Sequence, residues 1–236
     1  MVRLPLAGTD RFIDIAPSKI VAVGLNYREH VAESKVFDLK ELQVPSEPVL
    51  FAKTPNVLVG PGEPIVIPEF LKHYEFRESR VDHEAELAVI ISKRCKDVSE
   101  KDALSYVLGY TCFNDVSQRN IQKLDASGWF RGKSFDTFGP VGPVVVGAAS
   151  IRDPQKLAIK ASVNGVVKQE ASTQDMIFSV AALISYISKN MTLEAGDLIA
   201  TGTPSGVSPI LPGDTVEIEI EGIGVLSNPV AAERTE

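Results

Sequence analysis

The stretch Asp82-His83-Glu84-Ala85-Glu86-Leu87-Ala88-Val89-Ile90-Ile91 places two carboxylates two residues apart at the head of an apolar run. In an extended strand alternate side chains share a face, so Glu84 and Glu86 point the same way as Ala88 and Ile90. Ala85, Leu87, Val89 and Ile91 cover the other face, and a strand apolar on both sides reads as an interior one. Two like charges directed into a core are costly unless something compensates them. A bound cation does so economically; the alternative is a strand that starts exposed, with both glutamates solvated. A third carboxylate, Asp115, closes the strand-like run Tyr110-Thr111-Cys112-Phe113-Asn114-Asp115-Val116. Carboxylates are hard oxygen ligands suited to Mg²⁺, Mn²⁺ or Ca²⁺, and no Cys or His pair has zinc spacing. An Asp at a strand end also serves as a turn former, and spacing alone leaves open whether Asp115 meets the two glutamates.

A second constellation lies in Asn26-Tyr27-Arg28-Glu29-His30-Val31-Ala32-Glu33. On a helix, His30 and Glu33 share a face. A carboxylate beside an imidazole orients it and raises its basicity, as a general base acting on water needs; a surface ion pair would look the same. Three other motifs lead nowhere. Gly132-Lys133-Ser134 lacks the upstream glycine of a phosphate loop, where Ser127 stands. Gly202-Thr203-Pro204-Ser205-Gly206 is not the elbow of a serine hydrolase. Gly60-Pro61-Gly62 precedes a strand, not the helix of a dinucleotide site. Lys72, Arg77 and Arg80 flank the carboxylate run, either to attract a dianionic substrate or as a solvated charged loop.

The elements that must position these groups are mostly strands. Short β-branched runs bounded by Gly or Pro occupy 20–24, 49–52, 65–67, 86–91 and 144–146. Asn164-Gly165 reads as a tight hairpin turn. Residues 215–220 alternate Val216, Ile218 and Ile220 with Glu217 and Glu219, implying one dry and one wet face. Two helices are expected. One starts at a shortened capping box, Ser99 with Asp102, carries Leu104, Val107 and Leu108, and ends at Gly109. The other spans about 174–189, with Ile177, Val180, Ala181, Ile184 and Ile187 as a core-packing stripe. Strand runs with few helices predict a β-rich α+β fold, not a doubly wound sheet. Residues 1–16 read as a short leader and 17–236 as one domain, without repeats or low-complexity linkers.

The chain is 236 residues long, 44% hydrophobic and 23% charged, with a net charge of -7. That is ordinary for a globular domain with a real core. The acidic balance argues against a general nucleic-acid role, which needs clustered Lys and Arg. An acidic protein can still take an acidic substrate where a metal reverses the local sign. Cys95 and Cys112 are too few for a disulfide framework and read as buried thiols in a reducing cytoplasm. The first residues lack the apolar stretch of a signal peptide, and no run approaches the ~20 apolar residues of a membrane helix.

Six ordered segments together resemble the fumarylacetoacetate hydrolase family over about 20–229. They are Gly24-Leu25-Asn26-Tyr27 with His30 and Glu33, Pro48-Val49-Leu50-Phe51-Ala52-Lys53, and the run from Asp82 to Leu87. Asn114-Asp115-Val116-Ser117 with Arg119, Gly132-Lys133-Ser134-Phe135-Asp136 and Gly202-Thr203-Pro204-Ser205-Gly206-Val207 complete the set. The resemblance implies a mixed β-sandwich roll assembled as a homodimer. It implies Mg²⁺ or Mn²⁺ on Glu84, Glu86 and Asp115, and a catalytic pair, His30 and Glu33, on a short mobile lid. It makes Lys133 a substrate or oxyanion contact, where composition alone reads a surface lysine, and Arg119, Gln122 and Thr203 substrate-holding positions. The implied activity is metal-dependent C–C hydrolysis of an acylpyruvate-type 2-oxo acid through a stabilised enolate. The same enolate serves oxaloacetate-type decarboxylation and 2-hydroxy-2,4-dienedioate isomerisation, the branch that 129–140 resembles most. A non-catalytic metal or small-acid binder is the reading of another class, and would need the lid pair broken.

Overall fold

The computed structural model describes residues 1–30, 44–126 and 129–234. Its centre is a seven-stranded mixed sheet. In spatial order it runs β4 (Val49–Lys53), β3 (Ile20–Gly24), β14 (Leu198–Ala200), β8 (Ala85–Ile91), β9 (Val107–Asn114), β11 (Gly139–Gly147) and β5 (Leu58–Val59). A second, five-stranded sheet runs β13 (Val166–Ser172), β12 (Ala158–Val163), β15 (Thr215–Ile220), β16 (Gly224–Ala232) and β6 (Ile65–Ile67). Two short pairs complete the set: β1 (Val2–Pro5) with β2 (Phe12–Ile15), and β7 (Val81–Asp82) with β10 (Ser117–Gln118). This is the expected β-rich α+β roll with few short helices.

Strand β8 sits between β14 and β9, and all seven of its residues are buried. Its two faces feed two different cores. Ala85, Leu87, Val89 and Ile91 join the apolar cluster shared with Ile159, Ala161, Val216, Ile218 and Ile220 of the second sheet. Ala88 and Ile90 join a smaller cluster with Ile20, Ala22, Phe113, Val2, Leu4 and Ile15. The period of two therefore decides which layer each side chain enters. Residues 1–16 form the β1–β2 hairpin, tied to β11 by the Ala7 N–H donating to the Val145 carbonyl at 2.9 Å.

Local chemistry explains most boundaries. The β12–β13 hairpin turns on Asn164 and Gly165, with φ of 52° and 75°, the left-handed pair of a type I′ turn. Strand β15 alternates as expected, its Val216, Ile218 and Ile220 buried. The helices are shorter than the sequence implied. Ser99 does cap a helix, accepting from the Asp102 N–H, but that helix covers only Glu100–Ala103. After one 3-10 turn the chain enters β9 at Val107, so Val107 and Leu108 are strand residues and Gly109 lies inside the strand. Pairing of 107–114 with both β8 and β11 outweighs a weak helical pattern. The second helix starts at Val180, capped by Ser179, not near 174, and ends at Asn190. Thr173–Asp175 forms a separate 3-10 turn with its own capping box. Val180, Leu183, Ile184 and Ile187 are the buried apolar stripe of the helix Val180–Asn190. Cys95 and Cys112 are buried free thiols. Among the described residues no helix is long and apolar enough to cross a membrane.

Candidate active site

The N-terminal end of β8 meets the C-terminal end of β9, since the strands are antiparallel. A reciprocal clamp fixes this corner: the Glu84 N–H donates to Asn114 Oδ1 and the Asp115 N–H to the Glu84 carbonyl, both at 2.9 Å. Glu84, Glu86 and Asp115 thereby converge, one carboxylate oxygen from each lying within 4.8 Å of the other two. All three are at most 4% exposed. Asp115 is thus no solvated turn former, and the glutamates are not the wet start of a strand.

Around the trio the fold gathers cations. Lys133 Nζ bridges Glu84 Oε2 at 2.7 Å and Asp115 Oδ2 at 2.6 Å, and lies 5.1 Å from the centre of the Phe51 ring. Lys133 is 2% exposed, far from the surface lysine that composition suggests. It ends the short helix Phe130–Lys133, which packs tightly on the helix Arg119–Leu124. Gly132 permits that approach: a Cβ there would lie 2.8 Å from the Gln118 carbonyl and from the Gln122 nitrogen. Lys53, at the end of β4, donates to Asp115 Oδ1 at 2.6 Å and also to the Lys133 carbonyl. Arg119 pairs with Asp82 Oδ2 at 2.8 Å and Glu84 Oε1 at 2.7 Å, and donates to Gln122 Oε1 at 3.1 Å. Arg80 holds the other Asp82 oxygen at 2.8 Å. Lys72 instead makes an exposed pair with Glu69.

Glu86 is different. Among the described residues its carboxylate receives only the Gly202 N–H, at 2.9 Å. Gly202 has φ of 96°, and a Cβ there would meet the Asn26 Cβ at 2.7 Å. Only glycine lets this backbone donor reach into the corner. Burial, and then the Asp115 and Glu84 charges, push the Glu86 carboxyl well above the usual carboxylate range. For Glu84 burial pushes upward too, but Lys133 and then Arg119 outweigh it and hold that carboxyl below the range. Burial pushes Lys53 below the usual ammonium value. In Lys133 the carboxylates of Asp115 and Glu84 overcome burial and raise it. Environments that push neighbouring groups in opposite directions mark functional sites.

The donor chemistry fits a hard divalent cation. Three buried carboxylates supply oxygen ligands only, Glu86 lacks a cationic partner among the described residues, and the Lys133 ammonium already meets a demand for positive charge between the other two.

The corner opens into a cleft of about 610 Å³, walled in part by His30, Glu84, Glu86, Arg119, Lys133 and Thr203. Gln122 and Arg80 also line it, and Trp129, edge-on to Phe51 at 5.4 Å, adds an aromatic wall. His30 belongs to a helical turn over 28–30 and is half-buried. Glu33 lies outside the described residues, as does the stretch expected to form the lid. Thr203 Oγ1 accepts from Gln169 Nε2 at 2.8 Å.

Several residues escape a reading of the sequence. Lys53 ends an apolar strand, and only the folded chain shows it 1% exposed between Asp115 and the Lys133 carbonyl. Asp82, 0% exposed, holds Arg80 and Arg119. Gln169 comes from β13 of the opposite sheet and carries no local signal. His83 is sealed between Gln169 Oε1 at 3.1 Å and Ser208 Oγ at 2.9 Å, and burial lowers its pKa to about 4.

Comparison with known proteins supports one assignment. A crystal structure of 2-hydroxyhepta-2,4-diene-1,7-dioate isomerase from Mycobacterium marinum superposes with a TM-score of 0.80 at 44% identity, covering 96% of this chain and 83% of that one. Maleylpyruvate hydrolase from Sphingobium sp. SYK-6, solved with manganese(II) and pyruvate, gives a TM-score of 0.76 at 35% identity over 92% of this chain and 72% of its own. The oxaloacetate tautomerase YisK of Bacillus subtilis is 43% identical over 222 residues, 91% of this chain and 70% of that protein. The profile of the fumarylacetoacetate (FAA) hydrolase C-terminal family matches residues 19–231, so this chain is an enzyme of the fumarylacetoacetate hydrolase family.

Proposed function

We propose that this enzyme hydrolyses a C–C bond in acylpyruvate-type 2-oxo acids, with Mg²⁺ or Mn²⁺ held by Glu84, Glu86 and Asp115. The observation that carries the reading is the buried carboxylate trio, with Lys133 bridging Glu84 and Asp115, beside a cleft walled by His30 and Arg119. When bound, the cation supplies a Lewis acid for the carboxylate and keto oxygens of the substrate. Lys133 and Arg119 add positive charge where negative charge develops on the departing pyruvate unit. His30, oriented by Glu33, takes a proton from water, and the resulting hydroxide attacks the distal carbonyl. The bond between that carbonyl carbon and the pyruvate methylene breaks, with its electron pair leaving on the pyruvate unit. Protonation of that carbon completes pyruvate; the other product is a carboxylic acid. Burial of the trio excludes bulk water, so the charged groups act in a low-dielectric site.

A second reading rests on the 43% identity to an oxaloacetate tautomerase and the 44% identity to a dienedioate isomerase. In it the same cations stabilise charge on the keto oxygen while a proton moves, and no water attacks. The test is a Mg²⁺ or Mn²⁺ assay across acetylpyruvate, fumarylpyruvate, oxaloacetate and a hydroxydienedioate, following pyruvate, CO₂ and the enol absorbance. Pyruvate release from an acylpyruvate, abolished in Glu84→Ala and in His30→Ala, is the expected result. Retained Mn²⁺ binding in His30→Ala would separate the base from the metal site. Enol–keto conversion without pyruvate release would replace hydrolysis by the second reading, and no turnover of any substrate would overturn both. The reading carries with it a homodimeric assembly in the cytoplasm, and light scattering checks the dimer.

A further inference from the structure

Gln169 lies 1% exposed behind the Thr203 wall of the cleft, and its partners fix which way its amide points. The Ala85 N–H, at 3.0 Å, can only donate, so the atom it meets is the amide oxygen. The Pro204 carbonyl, at 2.7 Å, can only accept, so its partner is the amide nitrogen. The amide orientation is therefore determined by backbone groups on both sides. Two consequences follow along the chain of hydrogen bonds. His83 Nδ1, at 3.1 Å from that oxygen, carries a proton and donates it, while Nε2 lies 2.9 Å from Ser208 Oγ. On the other side Gln169 Nε2 donates to Thr203 Oγ1 at 2.8 Å. The Thr203 hydroxyl then has to spend its own proton elsewhere. Thr203 is 3% exposed and lines the cleft beside Glu84 and Lys133.

The geometry points to Gln169 as a positioning residue, backed by His83, that turns the Thr203 hydroxyl into a fixed donor aimed at a carboxylate oxygen of the substrate. This rests on the 2-oxo acid reading above and deepens it. A hydroxyl free to rotate offers a lone pair as readily as a proton. The Thr203 oxygen has two lone pairs, and with Gln169 Nε2 bonded to one of them the proton is excluded from that direction and turns to the strongest acceptor in the cleft, an anionic oxygen. The Thr203 wall thus favours an acid over the matching amide, whose NH₂ group would face a donor.

Calorimetric titration of the Mn²⁺-loaded protein with pyruvate and with pyruvamide tests this without turnover. Wild type is expected to prefer pyruvate. Thr203→Val should weaken pyruvate about 10- to 100-fold, the effect of losing one hydrogen bond to a charged group, with little change for pyruvamide. Thr203→Ser keeps the hydroxyl and should restore the preference. Gln169→Glu keeps the acceptor for Ala85 and His83 but replaces the donor, so the Thr203 proton turns back onto Glu and pyruvate binding falls as in Thr203→Val. The double variant should be no worse than either single one, because both remove the same contact. Additive losses, or unchanged pyruvate affinity in a folded Gln169→Glu alongside a weakened Thr203→Val, would overturn the role of Gln169. Should Gln169→Glu not fold, equal affinity of Thr203→Val and Thr203→Ser for pyruvate overturns the fixed donor on its own. A wild type that binds neither ligand overturns the 2-oxo acid reading and this inference together.

Discussion

Glu86→Gln separates the cost of the carboxylate trio from its use. In the metal-free protein a charged Glu86 faces Glu84 and Asp115 within 4.8 Å. At an effective dielectric constant near 20, each such pair repels by about 3–4 kcal/mol. Lys133 returns part of this, and proton uptake by Glu86 caps the remainder, which is why burial and its neighbours hold that carboxyl well above its usual 4.5. A group protonated in the folded state but ionised in the unfolded one binds more protons when folded, so stability falls as pH rises. That loss starts at the usual 4.5 and runs at about 1.4 kcal/mol per pH unit until the raised folded value is reached. Gln resembles the protonated acid and keeps an oxygen for the Gly202 N–H. Thermal unfolding in EDTA at pH 7.5 should therefore find Glu86→Gln more stable, by at most about 4 kcal/mol over the three pH units above 4.5, or at most roughly 8–16 °C for a chain of this size. At pH 5 the two proteins should nearly coincide, because wild type is then protonated as well. Mn²⁺ should raise the melting temperature of wild type and leave Glu86→Gln almost unmoved. A variant less stable than wild type in EDTA at pH 7.5, or a gap unchanged at pH 5, would refute the electrostatic argument. A full Mn²⁺ shift in the variant would remove Glu86 from the metal site.

Two further changes probe the support around the trio. Lys53→Met leaves Asp115 Oδ1 and the Lys133 carbonyl without their buried donor, and should cost about 3–5 kcal/mol, read as a lower urea midpoint with an unchanged slope; a loss under 1 kcal/mol would mean that Lys133 alone suffices for Asp115. Gly202→Ala forces a side chain into a left-handed backbone and against Asn26, so a destabilisation of about 2–3 kcal/mol is expected, together with weaker Mn²⁺ binding as the N–H is drawn off Glu86, and wild-type values in calorimetry of the metal would show that this donor is dispensable.

Much of the site could be read before folding because strand periodicity is local. The spacing of Glu84 and Glu86 puts them on one face, and the apolar residues after them require that strand to be interior. The same logic placed β3, β6 and β15. It failed at 107–109, where the apolar pattern fits a helix as well as a strand, and pairing partners far along the chain decided for the strand. It overextended the last helix, because nothing local distinguishes the 3-10 turn at Thr173–Asp175 from a first helical turn.

What the sequence determined by itself was the chemistry on offer: hard oxygen ligands, a His near a carboxylate in sequence, and no soft-metal set. The tertiary structure decided which of these groups meet. Antiparallel pairing of β8 with β9 brought Asp115 to the glutamates, and the close approach at Gly132 buried Lys133 between two of them. Gln169 crossed from the other sheet to hold Thr203. These are contacts between residues tens of positions apart, and their energies depend on burial and distance, quantities that a linear order of residue types does not contain.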